Sequence, residues 1–290
     1  MCITMVVMSS LNMRPTNPED TRRRSRQSRP RLLAAAAIWC LLVGVGAPAR
    51  ALEVSLELIL AVDCSSSVEP EEFALQMQGI ADAFRHPTVL QAIRGAAPNG
   101  IAVTLVQWSG AGMHNQATDW ILVSNKDDAE NVAQEFENTP RFMRWGATAI
   151  GEAIIFSQVL FEDNGFEGLR KVIDISGDGI SNQGTFPTFA REAAAREGIT
   201  INGLAILNDE PSLDHYYRQQ VMAGPRSFVE RAARFEDFAT AMRRKLIREI
   251  GSPPAVQLPK IDPAHQVANS SSTTPKAPKS ATTELPAGAL

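Results

Sequence analysis

Between residues 56 and 250 the chain alternates unbroken apolar runs of strand length with segments whose apolar residues recur at helical spacing, and no other feature limits its fold as tightly. Residues 56–62, 100–108 (GIAVTLVQW), 171–176 (KVIDIS) and 199–207 (ITINGLAIL) read as strands. Their apolar residues are continuous rather than alternating, so both faces of each strand must be covered. Between them lie predicted helices at 69–85, 126–137, 148–161, 186–197 and 235–250. The first places Phe73, Met77, Ile80, Ala81 and Phe84 on one face, and His86-Pro87 should end it. Gly198 stands where a helix terminates in a left-handed residue. Shorter strands are predicted at 120–123 and 227–230.

Strands that alternate with helices imply a parallel sheet with helices on both faces. No helix separates 100–108 from 120–123, so that pair should be antiparallel, at an edge. The expected fold is a doubly wound α/β domain: a mostly parallel central sheet with one antiparallel edge strand.

The two ends differ from this middle. Arg22-Arg23-Arg24, Arg26, Arg29 and Arg31 precede an apolar stretch at 32–47 and then Pro48-Ala49-Arg50-Ala51, the order of a secretory signal, with cleavage expected before Leu52. Residues 1–21 make this leader overlong. The rival reading, an uncleaved anchor, suffers from an apolar part short for a membrane span. From about residue 251 the chain carries seven prolines and the run Ser270-Ser271-Ser272-Thr273-Thr274 with few large apolar residues. Such a segment buries too little surface to offset its ordering entropy, and is expected to be a disordered tail. The expected organisation is a leader at 1–51, one domain at 52–250 and a tail at 251–290. The mature protein should be secreted or periplasmic, without a membrane span.

Charge and cysteine content narrow the function classes. Eight arginines against two acids give the leader +6, so its removal takes the net charge from −4 to −10. A chain that negative is a poor candidate for nucleic acid. Cys2 and Cys40 leave with the leader, so Cys64 has no partner for an internal disulfide.

In a doubly wound sheet, ligands lie outside the carboxyl ends of the strands, where the strand order reverses. The residues there are Asp63-Cys64-Ser65-Ser66-Ser67 and Gly177-Asp178-Gly179, with Trp145-Gly146-Ala147 leading into Thr148. Asp63, Ser65 and Ser67 put one carboxylate and two hydroxyls on one side of a tight loop. Thr148 could add a hydroxyl and Asp178 a second carboxylate. All five offer hard oxygens, which favours Mg²⁺, Mn²⁺ or Ca²⁺ over zinc and copper, and Mg²⁺ above the others because one or two carboxylates suffice for it. Taken singly, Ser67 before Glu69-Pro70-Glu71, and Thr148, would each read as a helix N-cap. Cys64 and Ser66 read as spacers, Cys64 as a small buried hydrophobe. Asp174 shares a strand face with Ser176 and, if buried, needs a partner. Trp108, Trp120 and Trp145 read as core or rim residues, and His86, His114 and His215 have no ligand spacing.

The pattern D-x-S-x-S, a distant Thr and a distant Asp-Gly, over about residues 53–250, resembles the metal-ion-dependent adhesion site of von Willebrand factor A domains. The tracts at Gln107–Gly110 (QWSG), Val172–Gly184 and Gly198–Asp209 further resemble the bacterial family of secreted proteins termed domain of unknown function 1194. The first resemblance implies that Ser65, Ser67 and Thr148 touch a divalent ion, that Asp63 and Asp178 act directly or through water, and that an open position takes a carboxylate from a protein partner. One departure stands out: the usual Thr-Asp-Gly is here Ser176-Gly177-Asp178-Gly179.

Three functions compete on this reading. The expected one is an extracytoplasmic module that binds an acidic group through its ion. A metal-dependent hydrolase is disfavoured: there is no G-x-S-x-G, S-x-x-K, H-E-x-x-H or P-loop lysine, and no histidine near the motifs. An envelope scaffold that uses no metal is the third.

Overall fold

Strand β2 (Leu56–Asp63), all eight of whose residues are buried, lies at the middle of the main sheet. The computed structural model describes residues 50–252. The expected signal sequence, and all but the first residues of the expected tail, lie outside the described residues. β2 pairs in parallel with β3 (Ile101–Trp108) on one side and β7 (Lys171–Gly177) on the other. β7 pairs with β8 (Thr200–Ile206), and β8 with β9 (Val229–Ala232), again in parallel. Successive strands therefore leave β2 first towards β3 and later, from β7, in the opposite direction, so the order reverses between β2 and β7.

The pleat sends alternate residues of β2 to two cores. Leu58, Leu60 and Val62 join a core under α1 (Pro70–Arg85), α2 (Pro87–Gly95), α3 (Lys126–Glu137) and α7 (Phe238–Gly251). Ile59 and Ala61 join a core under α4 (Ile150–Val159), α5 (Pro187–Arg196) and α6 (Leu213–Tyr216), which continues as a π-helical turn, Tyr217–Val221. Each fully buried Leu, Ile or Val contributes about 1.5–3 kcal/mol, so these runs, buried on both faces, anchor the fold without a disulfide. Cys64 is buried and free.

The doubly wound arrangement matches the expectation, with several differences of detail. The antiparallel edge consists of two short strands, β4 (His114–Gln116) and β5 (Ile121–Val123), both paired to β3. His86-Pro87 does end α1, but α2 starts at once: the residue before proline is pushed to extended geometry (ψ 134°), and proline is preorganised for the first helical position. The helix expected from 148 begins at Ile150, because the Thr148 carbonyl accepts N–H groups of Asn182 and Gln183 instead. A two-stranded parallel sheet of β1 (Leu52–Val54) and β6 (Phe166–Gly168) and the helical segment 213–221 were not expected. Gly198 takes the left-handed conformation (φ 82°) after α5, as its position required.

Candidate metal centre

The reversal between β2 and β7 brings their carboxyl ends together, and the two aspartates of the motif stand there. Asp63 is the last residue of β2, and Asp178 follows the end of β7. Asp63 Oδ1 accepts the Ser65 N–H at 2.7 Å, which folds the chain into a tight turn. Ser65 Oγ and Ser67 Oγ lie 3.1 Å apart, and the Ser67 hydroxyl donates to Asp178 Oδ1 at 2.8 Å. Four of the five expected residues are thus linked by direct contacts. Thr148 approaches from the opposite loop: its Oγ1 lies 3.5 Å from where a Cβ at Gly179 would sit.

Ser67 is free for this because it does not cap α1, contrary to its reading in isolation. Glu69 is the N-cap, in a capping box with Glu72, and its N–H is held by Glu72 Oε2 at 2.8 Å. Thr148 is not a cap either; Ala149 occupies that position in α4. The Thr148 N–H is instead held by Asn182 Oδ1 at 2.9 Å. Ser66, expected to be a spacer, clamps the two loops. Its N–H donates to the Gly146 carbonyl at 3.0 Å and its Oγ accepts the Gly146 N–H at 3.0 Å.

The tracts around the motif act on the same loops. The Ser109 hydroxyl donates to the Trp145 carbonyl at 3.0 Å, and Gly146 (φ 130°) leaves it room, since a Cβ there would come within 2.3 Å of Ser109 Oγ. Gln107 joins β3 to the loop before α4, donating to the Pro140 carbonyl and accepting the Phe142 N–H, both at 2.8 Å. Arg141 donates to the carbonyls of Cys64 and Ser65, each at 3.1 Å. The Cys64 thiol sits 3.6 Å from Gln107 Oε1, and burial pushes its pKa up, as fits a small buried hydrophobe. Trp108 is buried, whereas Trp145 is 69% exposed beside the serine loop.

Burial dominates the electrostatics. Asp63 is fully buried, and desolvation together with the neighbouring charge of Asp178 pushes its pKa up to about 7, against hydrogen bonds from Ser65. Burial also raises Asp178, which the Ser67 hydroxyl partly offsets. One oxygen of each, Asp63 Oδ2 and Asp178 Oδ2, has no hydrogen-bond partner among the described residues. Such a pair is costly unless a positive charge compensates it. The charge of Arg141 acts on Asp63, but its guanidinium donates to main-chain carbonyls. Among the described residues no group of three or more His, Cys, Asp or Glu side chains could hold a metal ion, so an ion here would depend on hydroxyls beside two carboxylates. That donor set, with two buried and unpartnered carboxylate oxygens, fits a hard divalent cation.

A model of the family described as "Protein of unknown function (DUF1194)" matches residues 53–254. No curated protein matches the sequence. Among solved structures, the pilus adhesin SpaC from Lactobacillus rhamnosus GG is similar at 13% identity and TM-score 0.50, over 69% of this chain and 31% of that one. A von Willebrand factor type A protein from Catenulispora acidiphila is similar at 15% identity and TM-score 0.48, over 68% and 43%. Proximal thread matrix protein 1 from the mussel byssus, in a structure described as having a zinc-occupied MIDAS motif, is similar at 16% identity and TM-score 0.48, over 69% and 49%. The chain spans less than half the length of each. At these identities the likeness concerns the fold alone.

Proposed function

The chain belongs to the DUF1194 family, and from that premise and the geometry above we propose that it is an extracytoplasmic binding module that holds a divalent cation, Mg²⁺ first among the candidates, and through it grips an acidic group on a protein partner. One observation carries the reading: two buried carboxylates share a loop cluster with three hydroxyls, and one oxygen of each has no hydrogen-bond partner among the described residues. Asp63, Ser65, Ser67, Thr148 and Asp178 would hold the ion. Bound there, it would supply concentrated positive charge for a carboxylate, undiminished by the neutral hydroxyls around it.

The surrounding surface supports a macromolecular partner. Ser67 is exposed, so the cluster opens to solvent on the serine side. Large apolar side chains stand exposed on the flanking loops: Phe142 and Trp145 before α4, and Ile180 and Phe186 after β7. Monomeric surfaces bear few such side chains in one region unless they bind something. Among the described residues no helix is long and apolar enough to cross a membrane, and the leader reading places the domain outside the cytoplasm.

Binding is favoured over hydrolysis by where the described histidines stand. His86 caps α2, His114 packs on Phe156 at 4.2 Å between ring centroids, and His215 is an exposed neighbour of Asp214. None touches Ser65 or Ser67 as a base would. Calorimetric titration with Mg²⁺, Mn²⁺ and Ca²⁺ tests the reading. Binding is expected for the wild type and lost in Asp63→Ala/Asp178→Ala, and partners captured from an envelope extract should be released by chelator. Equal heats from the wild type and the double variant would refute it.

A further inference from the structure

The departure from Thr-Asp-Gly, Ser176-Gly177-Asp178-Gly179, inserts a glycine at the end of β7, and this glycine has a steric reason. A Cβ at residue 177 would lie 2.8 Å from Asp63 Oδ2 and 2.9 Å from the Tyr217 hydroxyl. Both oxygens are buried and neither has a hydrogen-bond partner among the described residues. They flank the space that any side chain at 177 would take. A second strand glycine serves the same tyrosine: a Cβ at Gly203, on β8, would come within 2.6 Å of Tyr217 Cδ1. Gly177 and Gly203 stand at the same pleat parity as Ile173, Ile175, Ile201 and Ala205, which line the core that contains Tyr217. The Tyr217 ring therefore lies against two glycines of adjacent strands, with its hydroxyl at the Asp63 end. The residue also begins the π-helical turn Tyr217–Val221, a rare geometry that frequently marks functional positions.

We infer that Tyr217 is a positioning residue of the cation site: its hydroxyl, unpartnered among the described residues and across the Gly177 position from Asp63 Oδ2, is the donor available to that oxygen once an ion is bound, and so fixes the rotation of the carboxylate. Oδ1 is already held by the Ser65 N–H at 2.7 Å; with Oδ2 then held by the phenol, both edges of Asp63 would be fixed and its remaining lone pairs presented to the ion. Groups that orient a metal-binding carboxylate through such hydrogen bonds typically govern affinity by 10- to 100-fold. Burial and the nearby Asp63 and Asp178 charges hold the phenol well above the usual tyrosine range, so it stays protonated and remains a donor. The Ser181 N–H bonds the neighbouring Tyr216 hydroxyl, not Tyr217, so the two tyrosines have separate duties.

The inference rests on the metal-binding reading, and one experiment separates the two. The full chain, as wild type, Tyr217→Phe and Asp63→Asn, is titrated with MnCl₂ and MgCl₂ by calorimetry, and each protein is melted in chelator. The expected result is that Tyr217→Phe weakens binding roughly 10- to 100-fold, while its melting midpoint in chelator stays level or rises, since the change deletes a buried hydroxyl without a partner. Binding within twofold of the wild type would overturn the inference and leave the metal reading intact. A fall in affinity accompanied by a lower midpoint in chelator would also overturn it, because the tyrosine would then act through packing. A wild type that binds neither ion would overturn the metal reading itself.

Discussion

Two clusters of buried carboxylates belong to the central sheet, one on its α7 face and one at the carboxyl ends of β2 and β7, and they differ in what surrounds them. On the α7 face, Asp174 of β7 meets Lys245, whose Nζ lies 2.7 Å from Asp174 Oδ1 and 2.5 Å from Glu249 Oε1, with all three side chains buried. Asn202 donates to Glu249 Oε1 at 2.8 Å and closes the network. At the carboxyl ends of β2 and β7, Asp63 meets Asp178 across hydroxyls, and among the described residues no ammonium or guanidinium bonds either carboxylate. The burial is similar and the chemistry is not. One cluster brings its own cation, and the other has none bonded to its carboxylates among the described residues. A buried charge network that holds its own cation acts as a structural joint, here between α7 and the sheet. One without such a cation, at the carboxyl ends of the strands, is a candidate site.

The comparison can be broken by exchanging the roles of the two clusters. The largest effect on stability belongs to Lys245→Met. It leaves Asp174 and Glu249 facing each other, and should cost about 3–5 kcal/mol in urea unfolding, because it strands buried charge. Gly177→Ala should cost about 1–3 kcal/mol by overpacking against Asp63 and Tyr217, and should weaken cation binding with it; both are read from one unfolding and one titration series. Asp63→Asn should do the reverse of Lys245→Met. In chelator its unfolding midpoint should match or exceed the wild type, while calorimetry shows divalent binding lost.

A smaller effect appears with pH. The Asp63 pKa is raised in the folded protein from 3.8 to about 7, by burial first, then by Asp178, against hydrogen bonds from Ser65 and the charge of Arg141. A carboxyl raised in the folded state favours folding while it is protonated, so its contribution is present at low pH and is lost as pH rises through about 7. In chelator, melting midpoints from pH 5 to pH 8 should fall more steeply for the wild type than for Asp63→Asn. Asp174, also raised by burial, contributes the same sign to both proteins and drops out of the difference. The smallest effect belongs to the exposed pair Arg244–Glu230, at 2.7 Å, where Arg244→Ala should cost about 0–1 kcal/mol in the same assay.

Much of this was legible in the sequence, and what was not has physical reasons. The doubly wound sheet followed from continuous apolar runs such as LELILAVD, because only a strand covered on both faces has that composition. Asp63, Ser65, Ser67 and Asp178 were singled out together because ligands gather where the strand order reverses, and the structure brings the four into contact. The partner of Asp174 was not found, because Lys245 lies 71 positions away on a helix and in the sequence looks like one more cation in a basic run. Ser66 was misjudged because a spacer and a loop clamp differ only in what crosses from the other side. Tyr217 was missed because a single aromatic residue carries no motif. Its signal lay elsewhere, in Gly177 and Gly203, since glycine inside a strand signals close approach of another group.

The central claim is that the Asp63–Asp178 pair lacks an internal cation and takes a divalent one from solution. Thermal melting of the wild type and of Asp63→Asn/Asp178→Asn at pH 8, in chelator and then with Mg²⁺ raised stepwise, tests it directly. The account expects the two curves to cross. In chelator the double variant melts at or above the wild type, and with Mg²⁺ at about 100 times its dissociation constant the wild type gains about 2.7 kcal/mol and overtakes a variant that Mg²⁺ leaves unmoved. A wild type whose midpoint ignores Mg²⁺, together with a double variant that is less stable in chelator, would show the carboxylates to be structural and contradict the account.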